Sequence, residues 1–323
     1  GVFPLRRPPP QSRTEQTLAP VVVSSRALRD GVTEGSGSYT AVTPTTGATR
    51  LGLTLRETPQ SITVMTRERL DDQNITDLTE AMGQAPGVAV TTRGAYADTG
   101  YGIRGYAASL QRDGVSVGAE ESYTLLPSVD LEVYDRIEII RGPSGLLEGS
   151  GGSMGGVINL VRKRPRAEFG GTASVGLGSW NYVRTSASLN GALNDSGSVR
   201  GRAVVVNHGQ EFAWSTAQAH RNLVYGIVEA DLTPRTLLTI SASDGRADRN
   251  PFYGLPPNGG GFPRDFYAGA AWNKVQVRRN FDGMAELAHE LDNGWKLRGI
   301  AVYRRGESDG QMAMTSNLNW QTQ

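Results

Sequence analysis

The sequence predicts a compact mixed α/β domain followed by the long strands of a transmembrane β-barrel. Three observations carry this expectation. Glycine is abundant, 41 residues of 323, while hydrophobic residues make up 38%, a balance poor for a helical bundle and suited to β structure rich in turns. Past Glu168 the pattern changes from short mixed signals to an apolar/polar alternation of period two. The connections between those later strands alternate between tight and long, as in barrels with short periplasmic turns and long outer loops.

Residues 1–54 mix Pro4, Pro8, Pro9 and Pro10 with Ser, Thr and Gly and show almost no apolar periodicity, which reads as a mobile arm. One apolar island interrupts it, formed by Thr17, Leu18, Ala19, Pro20, Val21, Val22, Val23 and Ser24; its β-branched run is strand-prone. Residues 55–166 read as the compact domain. Residues 61–65 alternate as a strand, and Thr66 is placed to cap a short helix running through Gln73. A second helix over 77–84 carries Leu78, Ala81, Met82 and Ala85 on one face before Pro86 and Gly87 stop it. Further short strands are expected over 88–92, 102–104, 110–115 and 136–141, then a glycine-rich turn over 149–156 leading into a strand over 157–162.

Residues 167–323 carry the barrel pattern. Val183, Thr185, Ala187, Leu189, Gly191 and Leu193 share one face, and Arg184, Ser186, Ser188 and Asn190 the other. Val224, Gly226, Val228, Ala230 and Leu232 oppose Tyr225, Glu229 and Asp231; Phe281, Gly283, Ala285, Leu287 and Leu291 oppose Asn280, Asp282, Glu286 and Glu290. So regular a polar face on long strands points to an interior that is wet or filled by polar protein. Turns at 194–198, 233–235 and 292–294 are tight, whereas the links 208–219 and 246–271 are long. Trp180, Trp295, Tyr303 and Trp320 are expected near strand ends, where an interfacial aromatic girdle lies. A soluble sandwich is disfavoured because its strands are usually only about five or six residues long.

Composition closes several other classes. With Lys and Arg at 33 against Asp and Glu at 32, no basic field points to nucleic acid. The absence of cysteine removes disulfides, thiolate metal sites and a cysteine nucleophile. His208, His220 and His289 lack metal-ligand spacing, so no metal site is expected. The run 149–156 is not followed by Gly-Lys-Ser/Thr, so a phosphate cradle would lack its cation. Asp71 with Asp72 and Glu120 with Glu121 are sequence neighbours whose side chains point apart, leaving a hydrolase without a constellation. No secretory h-region opens the chain and no apolar stretch is long enough for a membrane helix, as in a processed mature protein.

Several blocks in order resemble the TonB-dependent outer-membrane receptors, particularly their siderophore branch. They are the stretch from Thr58 to Gln73, Ala85-Pro86-Gly87-Val88-Ala89-Val90, Ile103-Arg104-Gly105, Asp113-Gly114, the stretch from Tyr134 to Leu147, and the stretch from Gly155 to Pro165. The resemblance implies a plug domain (55–166) inside a 22-stranded barrel, of which 167–323 supplies the first seven or eight strands. It makes the island from Thr17 to Ser24 similar to a TonB box, an extended segment that adds as a strand to a sheet edge of the periplasmic TonB protein. It further implies that Arg104 and Arg141 pair with barrel-wall glutamates.

The ligand the resemblance implies is a ferric siderophore, which brings iron in its own oxygen ligands, so neither cofactor nor protein-held metal is expected. Contacts are expected from Arg93 and Tyr96 on one apical loop, Tyr123 on another, and Tyr253 and Trp272 on the long barrel loop that also holds Phe252, Phe262, Phe266 and Tyr267. Outer-membrane lipid is the surroundings, and a monomer is expected. Because seven strands and part of an eighth cannot close a barrel without leaving backbone groups unpaired in lipid, a longer protein is expected. Haem, cobalamin or a copper chelate as cargo, a signalling receptor, and a non-transporting adhesin or enzyme are the alternatives.

Overall fold

In the computed structural model the described residues are 31–41, 55–93, 98–118, 129–143, 153–213, 217–250, 263, 265 and 276–310. The first unit is built on a five-stranded sheet ordered β1-β7-β8-β5-β6, from strands β1 (Ser61–Met65), β5 (Ser109–Arg112), β6 (Val115–Val117), β7 (Tyr134–Arg141) and β8 (Gly156–Arg162). A small sheet of β2 (Val88–Arg93), β3 (Asp98–Ile103) and β4 (Tyr106–Ala107) lies apart from it. Helices α1 (Arg67–Asp72) and α2 (Leu78–Gly83) are capped by Thr66 and Asp77, whose side chains accept the Arg69 and Thr79 amides. Helices this short do not persist alone. They are held because Leu70, Leu78, Ala81 and Met82 enter one core with Ile137, Ile139, Ile158 and Leu160, where full burial of each large aliphatic side chain contributes about 1.5–3 kcal/mol.

Two elements differ from expectation. The strand expected over 110–115 is a hairpin, because Asp113 (φ 50°) and Gly114 (φ 78°) are both left-handed, the conformation a two-residue I′ turn demands. The strand expected over 102–104 begins at Asp98 and ends at Ile103, and Arg104 (φ 53°) turns into β4. The end of the glycine-rich run has a packing explanation. A Cβ on Gly155 would stand 2.5 Å from the Ile103 carbonyl oxygen, and one on Gly156 (φ 142°) would collide with that of Ile140.

The second unit is a seven-stranded antiparallel meander of β9 (Gly170–Gly178), β10 (Tyr182–Ala192), β11 (Val199–Glu211), β12 (Gln218–Thr233), β13 (Thr236–Arg249), β14 (Gln276–Glu290) and β15 (Lys296–Asp309). Its burial is the reverse of a soluble sheet. Arg184, Ser186, Ser188 and Asn190 are buried while Val183 and Leu189 are exposed; Glu229, Asp282 and Glu286 are buried while Val224, Val228, Phe281 and Leu287 are exposed. The polar face lies against the first unit and the apolar face points away. On β12 the apolar outer run from Val224 to Leu232 is followed upward by exposed Asn222 and His220. A run of about nine residues is what a strand tilted by about 45° needs to cross the hydrocarbon layer. The inner face is not wholly polar, however. Val204, Val206, Leu223, Tyr225 and Ile227 form an apolar saddle continuous with the core of the first unit.

The link expected over 208–219 is shorter, since β11 and β12 stay paired to Glu211 and Gln218. Above the apolar outer run the outward side becomes polar, with Asn207 bonded to Asn222, so the alternation fades while the ladder continues. The link from 246 contracts likewise, β13 running to Arg249. Trp180 sits in the tight turn between β9 and β10, at the end opposite the three short turns, so that pair lacks a long outer loop. Trp180 and Trp295 lie exposed at opposite strand ends. Tyr303 does not lie at an end: it is mid-strand on the outer face, paired with Gly283 and 6.1 Å from the ring of Phe281. Trp320 lies outside the described residues. Within the arm, residues 31–41 are docked rather than free, with Thr33 buried.

Candidate functional site at the interface of the two units

Charged side chains join the two units at two main levels. In the middle, Arg162 at the end of β8 donates its backbone N–H to Asp113 Oδ1 (2.9 Å), its Nε to Asp113 Oδ2 and its Nη1 to Asp282 Oδ1 of β14 (2.9 Å). Its guanidinium lies 5.8 Å from the ring centre of Tyr225, a cation–π distance. Asp282 also receives Arg112 of β5 (3.1 Å) and Arg304 of β15 (2.8 Å). One carboxylate on the wall therefore ties together three arginines from three strands and both units. Just beyond β8, Arg164 reaches Glu229 (3.1 Å) and Glu286 (3.4 Å).

At the second level, Asp130 caps the 3-10 turn Leu131–Val133 and binds Arg184 of β10 with both oxygens (3.1 and 2.7 Å). Arg221 of β12 lies 4.0 Å from Asp130 and 3.3 Å from Asp77, and its Nη2 is 3.4 Å from His208 Nδ1. Burial pushes the Asp113 and Asp130 carboxyls upward, but Arg162 and Arg164 around the first, and Arg184 and Arg221 around the second, outweigh it. Both acids are held below the usual carboxylate range and stay ionised.

Such an interface can come apart without a large apolar penalty. A buried ion pair gains little over an apolar replacement, because desolvation nearly cancels the attraction, yet losing one partner costs about 3–5 kcal/mol. Charged groups that separate into water recover their hydration. The contact is thus specific in register and able to yield, except over the apolar saddle of β11 and β12.

Among the residues singled out in the sequence, Arg141 donates Nε and Nη2 to the Pro86 carbonyl (3.2 and 2.6 Å) and Nη1 to Thr63 Oγ1 (2.8 Å). Burial and the nearby Arg104 charge lower its pKa. Arg104 is exposed in its turn, and among the described residues no carboxylate pairs with either arginine. Arg93 ends β2 opposite Asp98, its side chain outside the described residues. Thr17, Leu18, Ala19, Pro20, Val21, Val22, Val23, Ser24, Tyr96, Tyr123, Tyr253 and Trp272 lie outside the described residues. The sequence reading missed the clamp made by Asp113, Asp130, Arg162 and Arg164. Its signal was present on the wall, where Arg184, Glu229, Asp282 and Glu286 fall on the polar face and require buried partners.

Comparison with known proteins agrees with this architecture. Residues 54–157 match the TonB-dependent receptor plug domain. The chain is 38% identical to the ferripyoverdine receptor of Pseudomonas aeruginosa over 86% of this chain and 35% of that protein. It is 35% identical to the ferric-pyoverdine M114 receptor of a Pseudomonas species over 95% of this chain and 38% of that one. It also superimposes on the crystal structure of the ferripyoverdine receptor of the outer membrane of P. aeruginosa bound to ferripyoverdine, with TM-score 0.78 and 34% identity, covering 87% of this chain and 38% of that one. The chain therefore spans little more than a third of the length of these relatives.

Proposed function

The chain belongs to the TonB-dependent receptors of the outer membrane, and we propose from that membership that the whole protein binds an iron–siderophore complex at its outer mouth and imports it actively. The observation carrying this reading is the charged face of the sheet closed upon the plug, through Asp282 with Arg112 and Arg162 and through Asp130 with Arg184. A plug held by groups that rehydrate on separation is suited to be shifted and reseated in each transport cycle. The similarity to two ferric-pyoverdine receptors supports a siderophore as cargo.

In this reading the segment from Thr17 to Ser24 is the handle for TonB, adding as a strand to an edge of that protein. Arg93, Tyr96, Tyr123, Tyr253 and Trp272 contact the chelate, Arg104 and Arg141 meet wall glutamates, and no resident cofactor or metal takes part. The receptor acts as a monomer. The test uses the full-length receptor, with tryptophan fluorescence titrated against ferric pyoverdines, ferric hydroxamates, haem and cobalamin. Saturable quenching by a ferric siderophore that weakens in Trp272→Ala or Tyr253→Ala is expected, whereas wild-type affinity in both variants removes them from the site. Deleting 18–23 should abolish uptake and leave binding intact; undiminished uptake would refute energised import.

A further inference from the structure

Residues 31–41 belong to a segment rich in glycine and polar residues, yet they grip both units. The Thr33 and Glu34 amides donate to Asp135 Oδ1 at 3.1 and 2.8 Å, the Thr33 amide also reaches Oδ2 at 2.9 Å, and Thr33 Oγ1 donates to the Asp135 carbonyl at 2.9 Å. The Arg67 amide at the start of α1 donates to Thr33 Oγ1 at 3.0 Å, and the N-cap hydroxyl of Thr66 to the Ser38 carbonyl at 2.8 Å. Tyr39 reaches Asp72 at the far end of α1 (2.9 Å). The Glu34 carboxylate bridges the plug and the wall. It meets Arg202 of β11 at 2.7 Å, with Arg166 at 3.6 Å and Lys163 at 3.9 Å.

This attachment is polar almost throughout: Thr33 is 3% exposed, but Val32 and Tyr39 remain exposed. Opening it costs hydrogen bonds and the ion pairs of Glu34 and uncovers little apolar surface, so it can yield while the plug core stays folded. Arg202 lies three residues into β11, beside the tight turn at 194–198, the end that faces the periplasm in a barrel of this kind.

We infer that residues 31–41 form a clasp that limits how far the segment 17–24 can reach from the inner mouth, and that the clasp opens when Glu34 leaves Arg202 and the bonds of Thr33 and Glu34 to Asp135 break. With it closed, the chain from Val23 to Gly31 can extend at most about 25–30 Å. With it open, the contour from Gly31 to Leu55 adds at most roughly 80 Å to that reach. The clasp is thus an autoinhibitory contact: a partner that captures the handle far from the membrane binds only the unclasped fraction, and its apparent affinity falls by that fraction. The function assigned to the clasp rests on the proposed capture of 17–24 by TonB; its existence does not.

The test is a distance measurement in the full-length receptor, spin-labelled at Ser36→Cys and Asp195→Cys. A single narrow distribution is expected with Glu34 and Thr33 intact. A broad one shifted to longer distances is expected in Glu34→Gln with Thr33→Val, and a narrow one again in Glu34→Asp with Thr33→Ser, which keep the carboxylate and the hydroxyl. Siderophore quenching should be unchanged in all three, while the purified periplasmic domain of TonB should bind the opened variant at least about threefold more tightly. A broad distribution in the unmodified receptor, or an unchanged one in the opened variant, would overturn the clasp. A broadened distribution with unaltered TonB affinity would overturn its control of reach. If TonB binds none of the variants, the handle reading falls and the assigned control falls with it, while the distances still decide the clasp.

Discussion

Replacing Asp282 by Asn is the most direct test of the charged interface. The side chain is 1% exposed and faces Arg304 at 2.8 Å, Arg162 at 2.9 Å and Arg112 at 3.1 Å. At an effective dielectric constant of about 20, each such contact is worth on the order of 5 kcal/mol of attraction before mutual repulsion of the cations and desolvation are subtracted. Arg162 keeps Asp113, but Arg112 and Arg304 lose this counter-charge. The net loss should therefore match that of a broken buried pair, about 3–5 kcal/mol. It should fall on the contact between plug and wall rather than on either unit's own ladder. Amide hydrogen exchange in the full-length receptor reads it: exchange in β5, β6 and β8 should accelerate roughly 10²–10⁴-fold as local opening becomes easier, with β10–β12 unchanged. The exposed pair of Arg235 with Asp292 is the control, and Asp292→Asn should leave exchange alone. Acceleration of less than about tenfold in Asp282→Asn would refute the claim that this carboxylate holds the plug.

Three further outcomes are expected. Asp113 and Asp130 have lowered folded-state pKa values, so the stability they contribute is present above their unfolded value of 3.8 and lost as pH falls through the folded one; protease resistance of the plug should be flat from about pH 5 to 8 and fall below about pH 4. Gly156→Ala places a methyl group against the Ile140 carbonyl at φ 142° and should cost several kcal/mol, on the order of 3 or more, read as plug proteolysis at neutral pH in an assembled receptor. Val228→Arg puts a charge within the apolar outer run of β12 and should cost about 2–4 kcal/mol of barrel stability, measured by refolding into bilayers; an equal loss in Asn222→Arg, above the belt, would count against the assigned membrane position.

The sequence by itself was enough for several features that depend on neighbours along one chain segment, although the local turn at Asp113 and Gly114 was read through as strand. Thr66 caps its helix as read, because a cap bond spans two or three residues, and Asp77, read as the first residue of the second helix, is its cap. The alternation through Arg184, Glu229 and Asp282 marked the inward face, because side chains on a strand have period two whatever lies opposite. The strand limits near Glu211 and Arg249 were missed because, once both faces are polar, hydrogen-bonded ladder and loop look alike in sequence.

What tertiary structure alone decided is which charge answers which. Arg162 and Asp282 are 120 residues apart and Glu34 and Arg202 are 168 apart, and no local pattern distinguishes these partners from the other charged residues of the same faces. The choice follows from a polar sheet face closing on the plug, where desolvation makes an unpaired charge too costly to persist and so selects the pairs that can meet.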